Sequence, residues 1–166
     1  GKTITGNGNM TVTALDATAA ADLSAITASG TKTANVANDV TFTGDLGTFA
    51  VTVDTGKTLT TTAAKATGLA MTGAGGVSIT ALDADADADL SSITASGTLT
   101  ANVADDVTFT GDLGTFGVTV DSGKTLTTTS AKVTGLTITG GSVTISDDIT
   151  ANTNITNITS TVDLSQ

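Results

Sequence analysis

The chain has 166 residues, a formal net charge of −10 and an apolar content of 39%, with four Phe as its whole aromatic complement. It contains no Pro, Cys, His, Trp, Tyr, Arg or Glu, so all sixteen acids are Asp and all six bases are Lys. That alphabet leaves zinc, haem, iron–sulfur and thiol sites without ligands and acid/base catalysis without His, and its acidity and lack of stacking rings argue against a nucleic-acid partner.

Residues 1–9 read as the end of a preceding repeat, because Gly1-Lys2-Thr3-Ile4-Thr5-Gly6 falls on Gly68-Leu69-Ala70-Met71-Thr72-Gly73 at a shift of 67 residues. The same shift lays residues 10–73 over 77–140 with 50 of 64 positions identical. Repeat 1 is therefore 10–76 and repeat 2 is 77–142. Residues 143–166 are a partial third repeat that diverges into an Asn/Thr-rich cap or joint. A chain that opens in mid-unit suggests an excerpt of something longer or a filament subunit, and a fixed period of this length points to a solenoid.

In repeat 1, Thr11-Val12-Thr13 opens a short strand, and the Ala-rich stretch 14–29 reads as a loop with one turn of helix, Ala being the best helix former. Val40-Thr41-Phe42-Thr43 and Val51-Thr52-Val53 alternate apolar and hydroxyl residues with period two, the mark of half-buried strands. Asp54-Thr55-Gly56-Lys57 is turn chemistry. Repeat 2 runs through the same series at Val107-Thr108-Phe109-Thr110, Phe116-Gly117-Val118-Thr119-Val120 and Leu136-Thr137-Ile138-Thr139.

Strand starts at about 8 to 11 residue intervals suit sandwiches, barrels and solenoids alike. The core discriminates. Two Phe per unit, Phe42 with Phe49 or Phe109 with Phe116, would struggle to fill an immunoglobulin-like sandwich, whereas a narrow coil lined by Val, Ile, Leu and Ala needs nothing larger. The expected fold is all-β, a parallel β-helix (β-solenoid) with about three rungs of roughly 22 residues per repeat, each unit about 14 Å long. Tandem small sandwiches are the competing architecture.

Several stretches invite a chemical reading. Asp83, Asp85, Asp87 and Asp89 alternate with Ala, which in an extended strand would put four carboxylates on one side, and calcium wants several such oxygens. The run lacks the glycine and Glu of an EF-hand and the nonapeptide of calcium-binding β-rolls, and repeat 1 keeps only Asp16 and Asp22, so a solvated loop is the plainer reading. Asp105, Asp106 and Asp112, matching Asn38, Asp39 and Asp45, and the pair Asp147-Asp148 sit where turns are expected. Gly56-Lys57-Thr58 and Gly123-Lys124-Thr125 end like a phosphate loop, but Val51 and Val118 occupy the place of its first glycine, so they read as turns entering strands.

The triplets Thr11-Val12-Thr13, Thr41-Phe42-Thr43, Thr58-Leu59-Thr60, Thr108-Phe109-Thr110, Thr125-Leu126-Thr127 and Thr137-Ile138-Thr139 would present ranks of hydroxyls if stacked, the device of several ice-binding solenoids. Thr is also simply a good strand residue. Lys65 and Lys132 raise isopeptide crosslinking, for which no Glu is present to assist, so exposed lysines are expected. Asn9, Asn154 and Asn157 head glycosylation acceptor triplets.

The segments Gly123-Lys124-Thr125-Leu126-Thr127, 131–140, 77–83 and Asp89-Leu90-Ser91-Ser92-Ile93 resemble the repeats of very large bacterial cell-surface or secreted adhesin-like proteins, over nearly all of the chain up to Ile145. The resemblance implies an extracellular or cell-surface scaffold or extension role, without catalysis. The expected partners are neighbouring repeats of a longer chain or further copies associating end to end. No catalytic, cofactor or metal residue is assigned, and membrane insertion is not expected, since no apolar run approaches the length of a span. Ice binding through the Thr-x-Thr ranks, or calcium binding through the Asp-rich loops, is the alternative.

Overall fold

The computed structural model describes residues 3–149 and 152–164. Gly1, Lys2, Thr150, Ala151, Ser165 and Gln166, which belong to the expected end segments, lie outside the described residues. Within them run β1 (Ile4–Gly6), β2 (Met10–Val12), β3 (Ile26–Ala28), β4 (Lys32–Val36), β5 (Val40–Thr41), β6 (Ala50–Val53), β7 (Thr58–Thr61), β8 (Met71–Gly73), β9 (Gly76–Ile79), β10 (Leu99–Val103), β11 (Val107–Thr108), β12 (Gly117–Thr128), β13 (Ile138–Ile145) and β14 (Thr161–Leu164).

Every strand pairing is parallel, each strand bonding to the one about a turn later in sequence. The chain is a β-solenoid of about eight turns, as its alternation and narrow core predict. Facing sandwich layers would instead pair strands antiparallel.

Following the register shows how each turn is built. Ala34 on a first face leads to Val40 on a second, in register with Leu59. The chain then reaches Asp45 on a third, bridged to Asp22, and returns to Val51, which pairs with Ala34. The first face carries β2, β4, β6 and β8, and the second carries β5, β7, β9, β10 and the opening halves of β12 and β13. The third begins with β1 and β3 and ends with β11, the closing halves of β12 and β13, and β14.

The expected three rungs per repeat need one refinement. From Val12 through Ala34 and Val51 to Met71, one column of the first face, the chain takes turns of 22, 17 and 20 residues, or 59 in all. Eight more residues carry it from Met71 to Ile79, the repeat equivalent of Val12, which stands on the second face in register with Ala101. A unit of 67 residues therefore makes three turns and one further side, so each repeat is rotated by one face from the last. At about 4.8 Å per turn the unit advances about 16 Å, longer than the 14 Å of three whole turns.

Inward positions fill a single continuous core. Phe42, Phe49, Phe109 and Phe116 are buried in it with Leu15, Leu46, Leu59, Met71, Ile79 and Leu82, among others. Stretch 14–29 holds the expected helical turn, a 3-10 turn at Leu15–Ala17 with Leu15 buried, but it is not a loop throughout: Ile26–Ala28 forms β3, because pairing with β1 recruits it to the third face. Two single-turn helices, α1 (Ala63–Ala66) and α2 (Ser130–Val133), were not expected; α1 buries Ala63 and Ala66, and α2 buries Ser130 and Val133. Gly73 and Gly140 lie at φ +104° and +91°, and a Cβ there would collide with the carbonyl oxygen of Val53 or Val120 in the turn before. The tail does not leave the coil: Ile158 bridges to Ile138, and β14 pairs along β13.

Because Phe109 is fully buried in that continuous core, Phe109→Ala is expected to cost about 3–5 kcal/mol, read as a lowered midpoint in urea unfolding followed by circular dichroism.

Candidate functional site

Nearly every Asp whose contacts are resolved is engaged in holding the coil. At the corners, one turn's carboxylate accepts a backbone N–H beside a strand end of the next turn: Ala37 and Ala104 just after β4 and β10, Thr58 at the start of β7, and Thr125 where β12 resumes pairing after its register shift. Asp16 takes Ala37 N–H at 2.9 Å and Asp83 takes Ala104 N–H at 2.7 Å; Asp39 takes Thr58 N–H at 2.8 Å and Asp106 takes Thr125 N–H at 2.7 Å. Near the tail the sense reverses, and Asp147 accepts from the N–H of Ser130, one turn earlier, at 2.6 Å. Thr58 opens a strand and Ser130 a helical turn, whereas Ala37 and Ala104 lie just past strand ends; in each case the carboxylate serves as the acceptor, the work of a cap.

Other acids brace their own turns or pair with lysines. Asp45 and Asp112 each accept the N–H two residues on, from Gly47 and Gly114. Each also faces the lysine of the next turn, Lys65 or Lys132, at 3.7 Å. Those lysines sit on α1 and α2 with partly exposed side chains, as the absence of a crosslinking cluster led us to expect. Lys124 binds Asp105 at 2.6 Å, a contact that holds its ammonium above the ordinary lysine range.

The alternating run 83–89 is not extended. Asp85 N–H bonds to Leu82 O and Ala88 N–H to Asp85 O, two tight turns in succession, which bury Leu82 and Ala88 and leave Asp85 beside Asp87 while Asp83 and Asp89 turn to other partners. Asp83 is spent on Ala104 and Asp89 on Ser91. Burial, and then hydrogen bonding and repulsion from Asp87, push the Asp85 carboxyl up. Among the described residues no group of three or more acids is placed to hold a metal ion. Gly56-Lys57-Thr58 is a turn entering β7, with Gly56 at φ +70°. The amide oxygens of Asn9 and Asn154 are occupied by the N–H groups of Thr31 and Thr156.

The hydroxyl ranks do form. On the second face Thr60, Ser78 and Thr100 stand in register, and Asn102, Thr119 and Thr139 form a parallel row two residues away. A shallow groove of about 430 Å³ lies between the rows, lined by Ser78, Thr80, Thr100, Asn102 and Thr119. The first face repeats the pattern, with Thr11 beside Thr33 and Asn35 beside Thr52 and Thr72. Asn, Ala50 and Gly117 interrupt both sets, and the rotation of one face per repeat divides the hydroxyls between two planes. That division was invisible in the linear pattern, because it depends on where each turn closes.

Comparison with known protein families, with curated proteins and with solved structures finds no match. Among the described residues no helix is long and apolar enough to cross a membrane.

The carboxylates make the fold acid-sensitive. The Asn38 amide and then the Ala37 N–H hold Asp16 below the ordinary carboxylate range, and the hydroxyl and N–H of Ser24 and of Ser91 do the same for Asp22 and Asp89. These groups bind protons less readily folded than unfolded, so their contribution is complete above the unfolded Asp pKa of about 3.9 and is lost as pH falls through and below it. Asp85 acts in the opposite sense, gaining as its proton returns. Urea midpoints measured against pH should hold through neutrality and drop on the acid side. Asp147→Ala, which strips the buried Ser130 of its cap, is expected to cost about 1–3 kcal/mol at pH 7.

Proposed function

We propose that this chain is a structural segment of an extracellular or cell-surface protein, a rigid β-solenoid rod of the adhesin-like kind, whose partners are neighbouring repeats or further copies joined end to end. The observation that carries the reading is the seamless passage from repeat 1 to repeat 2: Leu59, Val77 and Leu99 lie in one unbroken register across the unit boundary. Near-identical units that stack without a seam add stability per interface and lengthen without a redesigned core. The titratable side chains serve as clamps, which suits a durable, chemically quiet rod, so the reading assigns no catalysis. A net charge of −10 keeps such rods apart along their flanks and disfavours nucleic acid.

Ice binding is the second reading, favoured by the paired hydroxyl rows of the second face. It is the weaker one, because an ice plane would meet only one of the two faces that carry such rows. Thermal hysteresis comparable to that of flat Thr-ranked solenoids would promote it.

Tandem arrays of one, two, three and four units test the rod. Small-angle scattering should show the maximum dimension growing by about 16 Å per unit at constant cross-section, with the urea midpoint rising toward a plateau. Arrays that collapse into compact beads would refute it.

A further inference from the structure

We propose that the groove on the second face binds an uncharged, extended polysaccharide, whose hydroxyls exchange hydrogen bonds with those of the groove; this names a partner for the rod proposed above and rests on that reading. The groove, about 430 Å³, is bounded by Ser78 and Thr100 on one side and by Thr80, Asn102 and Thr119 on the other. Within each row the side chains recur about every 4.8 Å, the rise of one turn. Thr100 stands beside Gly117 in the next turn. Gly117 in turn lines a second hollow, about 270 Å³, with Thr115, Thr134 and Thr137, so hydroxyl-lined surface continues along the axis.

Charge selects the class of ligand. Neither hollow is lined by a Lys or an Asp, although the chain carries a net charge of −10. An anionic polymer meets that repulsion with no cation in the groove to offset it, and a cationic one finds no carboxylate there. What the groove offers is hydroxyl groups, each both donor and acceptor. Among the described residues no protein group takes up the hydroxyl of Ser78 or Thr100, and that of Thr119 meets Thr139 only at 3.5 Å. Sugar hydroxyls have the same dual character, and a chain of sugar rings presents them at regular intervals, as the turns do.

The counterparts of the five polar groove residues in repeat 1 are Thr11, Thr13, Thr33, Asn35 and Thr52. On the first face Thr11 stands beside Thr33, and Asn35 beside Thr52. Each repeat thus carries one such set, turned by one face and about 16 Å along the axis from the last. A groove without aromatic rings holds any one sugar weakly, and repetition along the rod is what raises the binding of a long polymer above that of a short oligosaccharide.

Electrophoresis of the folded 166-residue chain through native gels containing hydroxyethylcellulose, dextran or galactomannan, with carboxymethylcellulose as the anionic control, provides the test. The expected result is retardation by at least one of the three uncharged polymers and none by the control. Thr100→Val removes a hydroxyl and keeps the β-branched shape that a strand favours. It should leave the urea midpoint unchanged and weaken binding about fivefold. Thr33→Val combined with Thr100→Val should weaken it further than either alone, whereas Ser122→Ala, at an exposed corner outside the groove, should change nothing. Free passage through all three uncharged polymers overturns the proposal, as does equal retardation by carboxymethylcellulose, or Thr100→Val binding like wild type. None of these outcomes touches the growth of unit arrays in scattering, so the rod reading stands or falls on its own measurement.

Discussion

Each turn of this coil has its strand amides and carbonyls satisfied by the turns on either side, and every other feature accommodates that ladder. Parallel strands about 4.8 Å apart demand that successive turns close on one outline. The number of residues used to trace it varies from 17 between Thr33 and Ala50 to 23 between Asp22 and Asp45. The surplus is absorbed where the ladder is absent: in the double turn of 83–89, the 3-10 turn at Leu15–Ala17, and the helical turns α1 and α2. Glycine appears where the outline tightens until one backbone touches another, as at Gly73 and Gly140.

Corners are the weak points of such a ladder, since amides beside the strand ends fall outside the regular pairing between turns. Short acidic side chains solve this locally. Asp16, Asp39, Asp83 and Asp106 each reach one turn up to an amide that would otherwise be left to water. This accounts for an acid inventory made wholly of Asp: the shorter side chain spans one inter-turn gap with little freedom to lose. It also links architecture to charge, because a protein that caps its corners this way becomes strongly acidic whatever else it does.

The rotation of one face per repeat decides how the surface looks. A repeat of whole turns would bring the same side chains onto the same face indefinitely and build a long, uniform plane. Here three turns and one side carry each set to the adjacent face, so a given pattern returns to its starting face only after three units. The hydroxyl rows therefore distribute around the axis. Such a rod presents similar chemistry in all directions, which fits a spacer better than a one-sided recognition plane.

Much of the fold was legible in the residues. The period of 67, the alternation of Val-Thr-Phe-Thr and Val-Thr-Val, and a core alphabet too small for a sandwich together point to a parallel coil, because strand faces and core volume are local properties. The corner acids were legible as turn residues, though not as clamps between turns, since Asp39 gives no local hint that Thr58 is its partner. The helical turns at 63–66 and 130–133 were missed because three or four small residues carry no helical period.

What the sequence determined by itself is which residues face inward and that units recur. Only the tertiary structure decided where each turn closes, and with it the eight-residue remainder that moves Ile79 to a new face and splits the threonine rows. The reason is physical: alternation is set within a strand, whereas closure is set by how many residues each corner can absorb while the backbones above and below stay in hydrogen-bonding register.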